Sequence, residues 1–427
     1  SRPACPNNAL SIMKNIRFLS AILFLTACLA SPTVWGKDRS ELLTSGMCDG
    51  LPRVPVTTMA GFCVGLVAQG FDFPRGVLPL PSGDVLVVDM GGWGPKKGSL
   101  WRVTKKAGVY TKSRLLRGLD RPHGIVKSPA GLIYVASIDW VSMLEMGAST
   151  VRLVDVIGGD SNVAPLPTSG RHPLKQLVVD RAGNLFVNIG SASDNCEQSN
   201  EKKGRKRGVC QEATGPEQRG AIRKYTMRPD GRFDPAWEVY ASGLRNSMGL
   251  AFEPVTQALW QVENARDAIS KYDPTLDDAR LPHDELNLVK DGRNYGWPYC
   301  YDVGVSSPEY PQHDCSPYEK PALLLPAHSA PLGMAFHAGR HLPPTMRGGL
   351  FVTLHGYRRT GHRIVYLPFN SDGQPAQKML NVVSGWDKSN GLAKGAPVDI
   401  RVADDGALLI SDDRNGNLLR LTYVDTP

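Results

Sequence analysis

Aromatic residues make up only 7% of this 427-residue chain, and none of its 8 cysteines sits in a CxxC or CxxCH motif. The first shortage leaves no aromatic-basic surface for stacking bases, so no nucleic-acid partner is expected. The second sets aside a zinc site of the common spacings and excludes haem attached through cysteines. Long apolar runs are missing as well, apart from residues 18–27, which follow the basic start Met13-Lys14-Asn15-Ile16-Arg17. A run so short behind positive charge reads as a secretory leader and not as a membrane span. Two endings compete. Leu25-Thr26-Ala27-Cys28 resembles a bacterial lipobox, which would lipidate Cys28 and anchor the chain to a membrane, and cleavage after Gly36 is the other; the first is preferred. Residues 1–36 are thus read as leader and upstream residues, and 37–427 as a single exported domain, periplasmic or secreted. The cysteines beyond the leader form three close sequence pairs, Cys48 with Cys63, Cys196 with Cys210 and Cys300 with Cys315. That is the pattern of local disulfides in an oxidising compartment, although sequence alone does not fix the pairing. The net charge of +8 comes partly from residues 201–207, EKKGRKR, read as a solvated insertion between Cys196 and Cys210.

What the chain has in quantity is turn residues, 44 Gly and 33 Pro, between short apolar runs. Residues 172–195, HPLKQLVVDRAGNLFVNIGSASDN, show the unit: an apolar strand, a turn of Asp, Gly and Asn, a second strand, then a polar loop. The second strand recurs as Gly83-Asp84-Val85-Leu86-Val87, Gly131-Leu132-Ile133-Tyr134-Val135, Gly183-Asn184-Leu185-Phe186-Val187, Ala258-Leu259-Trp260, Gly349-Leu350-Phe351-Val352 and Gly406-Ala407-Leu408-Leu409-Ile410. Before most of these lies another apolar run, such as Gly76-Val77-Leu78 or Gly333-Met334-Ala335-Phe336. Repetition of one hairpin signature implies a radial array, an all-β six-bladed β-propeller with long insertions after blades three, four and five. A β-sandwich would space hairpins too, but would not reuse one turn. Ligands are expected at the end of the propeller axis where loops converge.

In that frame a few residues stand out. His172, at the mouth of the first strand of blade three, is suited to take a proton from an alcohol near neutral pH, though a lone histidine more often just caps a strand. Arg245 and Asn246 hold the same position in blade four and would be aimed at the axis; the plain alternative is a turn with an arginine paired to a nearby acid. Glu263-Asn264-Ala265-Arg266-Asp267, His283-Asp284-Glu285-Leu286-Asn287 and Asn294-Tyr295-Gly296-Trp297-Pro298 are oxygen-rich and suit a hard cation, or else are solvated loops. Leu354-His355-Gly356-Tyr357-Arg358-Arg359 gathers cationic groups at a strand end, either an anion pocket or a surface loop.

Taken together, HPLKQLVVDRAGNLFVNIGSASDN, SGLRNSMGLAFEP, LWQVENARD, DELNLVKDGRNYGWPYCY, HSAPLGMAF, GLFVTLHGYRRTGHRIVYLPF and DGALLISDD resemble the glucose/sorbosone dehydrogenase family, in particular its sorbosone-dehydrogenase-like branch. The resemblance implies an exported six-bladed propeller using pyrroloquinoline quinone (PQQ) and calcium to oxidise an aldose, sugar aldehyde or related polyol. It implies His172 as general base, Arg245 and Asn246 as cofactor contacts, and His355 where glucose-oxidising members place a cofactor-binding lysine. It also implies that carbonyls around Ala265 and Arg266 hold the cofactor's calcium, and that Glu285 and Tyr295 mark a second, structural calcium. Two departures stand against it: Gly190-Ser191-Ala192-Ser193 replaces a Gly-Asp pair, and the stretch before blade six, Gly395-Ala396-Pro397-Val398-Asp399, lacks the arginines that clamp the cofactor's carboxylates. Arg358, Arg359, Arg363, Lys388 and Lys394 are the candidate substitutes. With no haem motif, electrons would leave to a separate acceptor, a cytochrome or a quinone. The alternatives are a calcium-dependent lactonase, which would want more acids than Glu263, Asp267 and Asp399, and a non-enzymatic propeller that binds a carbohydrate or protein.

Overall fold

Six antiparallel sheets succeed one another along the chain, each opened by one of the repeated hairpins. They are seen in a computed structural model that describes residues 45–147, 150–197, 208–337, 341–356, 360–386 and 395–424. Blade one comprises Pro74–Pro79, Val85–Asp89, Gly98–Lys106 and Val109–Leu119. Blade two comprises Ile125–Lys127, Ile133–Ala136, Val141–Met146 and Val151–Ile157. Leu177–Val179, Leu185–Ile189, Ala221–Met227 and Phe233–Ser242 make blade three, with Arg293–Asn294 added in parallel at its edge. Blade four runs through Ser247–Phe252, Leu259–Glu263, Asp284–Val289 and Leu323–Leu325. Blade five is Pro331–Phe336, Leu350–Leu354, Arg363–Leu367 and Leu380–Ser384, edged by Thr57–Thr58. In blade six, Pro397–Val402, Leu408–Asp412 and Asn417–Tyr423 are completed by Phe62–Gln69 from the start of the domain. This six-bladed β-propeller is thereby closed by pairing its two chain ends, which removes a free sheet edge.

The second strand of every blade is buried at all positions. Both of its faces meet a neighbouring blade, so it reads as a mostly apolar run, interrupted by single buried polar residues such as Asn188, Gln261, Thr353 and Ser411, and not as an alternation. One core, Leu78, Leu86, Val88, Ile125, Ile133 and Val135, lies between blades one and two, and another of the same kind joins two to three. The repeated glycine has a steric cause. A Cβ at Gly76, Gly124 or Gly333 would come within 2.5, 2.8 and 2.4 Å of a carbonyl oxygen in the next blade, His123, Lys175 and Val398 respectively.

The insertions fall inside blades and not after them. They lie between the second and third strands of blades three and four and between the third and fourth strands of blade four. Strand directions put the second-to-third connections at the same end of the axis as the starts of the first strands, where added chain leaves the inter-blade cores untouched. The three disulfides pair as nearest neighbours, Cys48–Cys63, Cys196–Cys210 and Cys300–Cys315. Among the described residues no helix is long and apolar enough to cross a membrane. The leader and Cys28 lie outside the described residues.

Candidate active site

Two positions in each blade reach one end of the axis: the start of the first strand and the residue after the second. In blade order the latter are Met90, Ser137, Gly190, Asn264, His355 and Asp413. The first strands of blades one, four, five and six slip register near their starts, between Pro74 and Val77, Ser247 and Gly249, Pro331 and Met334, and Pro397 and Ile400. Such bulges re-aim the residues before them. The starts are then tied down by the acid that ends the second strand: Asp89 accepts the amides of Asp72 and Phe73, Glu263 that of Arg245, and Asp412 that of Ala396.

Of the residues after the second strands, Asn264, His355 and Asp413 line a cavity of about 390 Å³, together with residues at or before the first strands of blades one, three, four and five. One wall carries His172 and Asn246, and across it stand His355, Asp413 and Arg75. Phe73, Leu174, Met248 and Leu332 supply apolar surface, and Arg171, Arg414 and Trp93 stand at the exposed margin. His172 and Asn246 are close neighbours: a Cβ on Gly190 would lie 2.5 Å from His172 Cβ and 3.1 Å from Asn246 Oδ1. Asn246 Oδ1 is buried without a hydrogen-bond partner among the described residues, the state of a group that awaits a ligand.

His172 Nδ1 lies 2.9 Å from the Ser191 carbonyl oxygen and 2.9 Å from Ser191 Oγ. The carbonyl only accepts, and Ser191 Oγ already donates its proton to Ser193 O at 2.6 Å. Nδ1 therefore carries the hydrogen and Nε2 the lone pair, the tautomer a base requires. Burial, reinforced by the Arg245 charge, holds the imidazole well below its usual 6.5. The neutral, basic form thus persists through the whole neutral range and is lost only as pH falls through that depressed value. If His172 is the base, kcat/KM should show no acid-side inflection near 6.5; an inflection there or higher would contradict the assignment.

The facing wall is an ion-pair chain. Arg75 Nη1 meets Asp413 Oδ2 at 2.5 Å, Arg75 Nε donates to His123 Nδ1 at 3.0 Å, and His355 Nε2 lies 3.0 Å from Asp413 Oδ2. Burial alone would raise the Asp413 carboxyl, but His355 and Arg75 outweigh it and hold the group below its ordinary value. His123, buried and beside Arg75, is pushed well below 6.5 and accepts as a neutral ring.

Arg245 is placed differently from expectation. It is buried and is not among the residues lining the cavity. Its guanidinium donates to Asp194 Oδ1 at 2.6 Å, Asp194 O at 3.0 Å and Asn264 O at 2.8 Å. It thus braces the walls that carry Asn246 and Asn264.

Ala265, Arg266, Glu285 and Tyr295, expected around two separate ions, all line one small cavity of about 30 Å³ together with Glu263. Glu263 and Glu285 are directly opposed across their strands and buried. Burial pushes Glu263 up to about 8; burial and then the Glu263 charge push Glu285 well above the carboxylate range. The Tyr295 hydroxyl donates to Leu288 O at 2.6 Å, and Arg266 is paired with Glu309 at 2.5 Å. Arg363 binds Thr360 O and Asn381 Oδ1 and does not line the axial cavity. Arg358, Arg359, Lys388 and Lys394 lie outside the described residues.

The sequence reading missed Arg75, Arg414, Asp413 and Trp93. Arg75 was findable, because it fills the slot before the repeated glycine that His123 fills in the next blade.

The profile of the family described as Glucose / Sorbosone dehydrogenase matches residues 161–420. The chain belongs to that family. A pyrroloquinoline quinone-dependent sugar dehydrogenase of Hypocrea jecorina is 24% identical over 355 residues, 74% of this chain and 75% of the relative. Among solved structures, a Trichoderma reesei carbohydrate-active enzyme of family AA12 is similar with a TM-score of 0.69 and 23% identity, over 89% of this chain and 100% of that one. The holo PQQ domain of a Coprinopsis cinerea pyranose dehydrogenase gives 0.65 at 20% identity, over 88% of this chain and 99% of its own. At these identities the structural likeness bears on the fold. This glucose/sorbosone dehydrogenase family member shares the propeller fold.

Proposed function

We propose that the chain is an exported sugar dehydrogenase that uses PQQ and calcium to oxidise an aldose, sugar aldehyde (sorbosone-like) or related polyol. The observation that carries the reading is the pairing, in one cavity, of a histidine fixed in its basic tautomer with a basic far wall. PQQ is a flat trianion, and leaving its carboxylates unpaired in a buried site would be costly. Arg414 lines the cavity with Arg75 and His355, which share the Asp413 carboxylate, and with Arg171, which pairs with Glu197, so it is from these positions and not from the blade-six stretch that positive charge is offered. The unpartnered Asn246 Oδ1 and the apolar faces of Phe73, Met248 and Leu332 complete a set that fits such a group. When bound, the quinone would supply hydride acceptance.

The protein's own part is to bind, orient and move one proton. His172 Nε2 accepts the proton of the substrate hydroxyl as the C–H bond breaks, while the Ser191 carbonyl stabilises the imidazolium through Nδ1–H. His355 and Arg75, fixed by Asp413, hold anionic oxygen on the opposite wall. A lactonase would need carboxylates free for an axial cation, but the carboxylate on this cavity, Asp413, is already committed to Arg75 and His355. Electrons would pass to a separate cytochrome or quinone. Export is supported by the leader sequence and three disulfides, and a lipid on Cys28 would tether the chain. Reconstitution with PQQ and calcium, followed by dye reduction with a panel of aldoses, tests the reading; ester or lactone hydrolysis without quinone, or no activity of either kind, rejects it.

The opposed Glu263 and Glu285 fit a hard cation such as calcium, which would remove the repulsion between them. Without metal the folded chain must keep protons on both groups, whereas the unfolded chain releases them near 4.5. The metal-free protein should therefore lose stability as pH rises from about 4.5 towards about 8, the value to which Glu263 is raised. Thermal midpoints with calcium or with chelator should differ little at pH 5 and diverge by pH 8. A gap that is constant with pH would contradict the site.

A further inference from the structure

Trp93 lines the margin of the axial cavity and is 58% exposed, although it is the kind of side chain that folding normally covers. It belongs to neither core that packs blade one against its neighbours. The loop that carries it, residues 90–97 with sequence MGGWGPKK, is anchored at its base. The Asp89 carboxylate accepts the amides of Asp72 at 2.9 Å, Phe73 at 2.7 Å and Gly91 at 3.0 Å, and Met90 N donates to Phe73 O at 2.9 Å. Gly91 has φ +68° and touches the far end of the same loop, where a Cβ would stand 2.2 Å from Lys97 O. A closed, anchored loop thus presents an indole to water at the opening of the cavity.

The indole does not stand alone, since Phe73, Leu174, Met248 and Leu332 line the same cavity, and apolar surface gathered at a groove marks a ligand contact. The ligand it fits is flat, apolar on its faces and polar at its edges, because indole offers a broad apolar face. A pyranose ring has that character, with C–H faces and hydroxyl edges. At the same margin Arg171, its side chain 58% exposed and its Nη2 3.6 Å from Glu197 Oε1, has further donors for hydroxyl groups. We infer that Trp93 is a stacking platform for the pyranose ring of a saccharide, which it holds at the cavity mouth in reach of His172. The inference rests on the sugar-dehydrogenase reading and adds to it the residue that selects ring-form saccharides.

The test compares wild type with Trp93→Ala and Trp93→Phe. Because the indole packs in no core, unchanged thermal midpoints will confirm that all three fold alike. In cofactor-free protein, saturation-transfer NMR with glucose and with a glucose disaccharide should show ring C–H signals that vanish in W93A and return in W93F. In reconstituted enzyme, W93A should raise the saccharide KM about tenfold with kcat within about twofold, as expected for loss of one stacking contact. PQQ affinity, measured by titration, should not change. Equal NMR signals in wild type and W93A, no saccharide signal in wild type, or weakened PQQ binding in W93A would each overturn the inference. Should reconstitution give no dye reduction at all, the functional reading fails, and the NMR comparison alone still decides the role of Trp93.

Discussion

Replacing His172 by alanine should lower kcat by about 10²- to 10⁴-fold while leaving PQQ affinity nearly unchanged, the signature of a lost general base. The magnitude follows from the geometry. Nδ1 is fixed by Ser191, so the basic lone pair on Nε2 is preorganised, and the other histidine on the cavity, His355, has its Nε2 engaged by Asp413. Steady-state dye reduction with a titration of PQQ separates the two effects. If turnover stayed within tenfold of wild type, proton transfer would have to lie elsewhere. A Ser191→Ala variant should show a smaller loss in the same direction, since the carbonyl contact to Nδ1 remains.

The second large effect is expected at Arg245, through stability first and activity as a consequence. Its ion pair with Asp194 is almost wholly buried, the two side chains being 4% and 10% exposed. Removing one partner of such a pair strands the other and costs about 3–5 kcal/mol. Asp194 also bonds the Asp267 amide at 2.9 Å, and its carbonyl accepts Trp297 Nε1 at 3.1 Å, so the loss would spread to the insertions of blades three and four. Arg245→Ala should therefore lower the denaturation midpoint sharply, and Asp194→Ala by a comparable amount. The double variant should be less destabilised than the sum of the two, because neither charge is then left alone. Full additivity, or a loss of under about 1 kcal/mol in Arg245→Ala, would be the value of an exposed pair and would remove Arg245 from this structural role.

The legibility of the chain divides along a physical line. The blades were readable because close approach of neighbouring first strands demands glycine at Gly76, Gly124 and Gly333, and because burial on both faces makes each second strand mostly apolar. His172 was readable as a candidate from its place in the repeat, and its role came from resemblance. The far wall was not readable. Arg75 and Asp413 are 338 residues apart, and only closure of the ring brings them within hydrogen-bond reach. Nor does sequence reveal whether a cationic side chain faces ligand or is consumed internally: Arg245 looked like a cofactor clamp, and its donors are taken by Asp194 and Asn264. The residues expected to hold calcium are brought together for a similar reason. Ala265 and Arg266 follow the strand that ends in Glu263, and strand pairing sets that residue opposite Glu285. Four residues expected at two sites therefore share one cavity.

The central claim is that one axial cavity holds a flat anionic quinone between His172 and the wall built by Arg75, Asp413 and His355. It is tested most directly by a crystal structure of the protein reconstituted with PQQ and calcium and soaked with an aldose. The account predicts quinone carboxylates against Arg75, Arg414 or His355, and a sugar hydroxyl about 2.6–3.2 Å from His172 Nε2. A cofactor bound elsewhere, or a sugar whose hydroxyls all lie out of reach of His172, would contradict it.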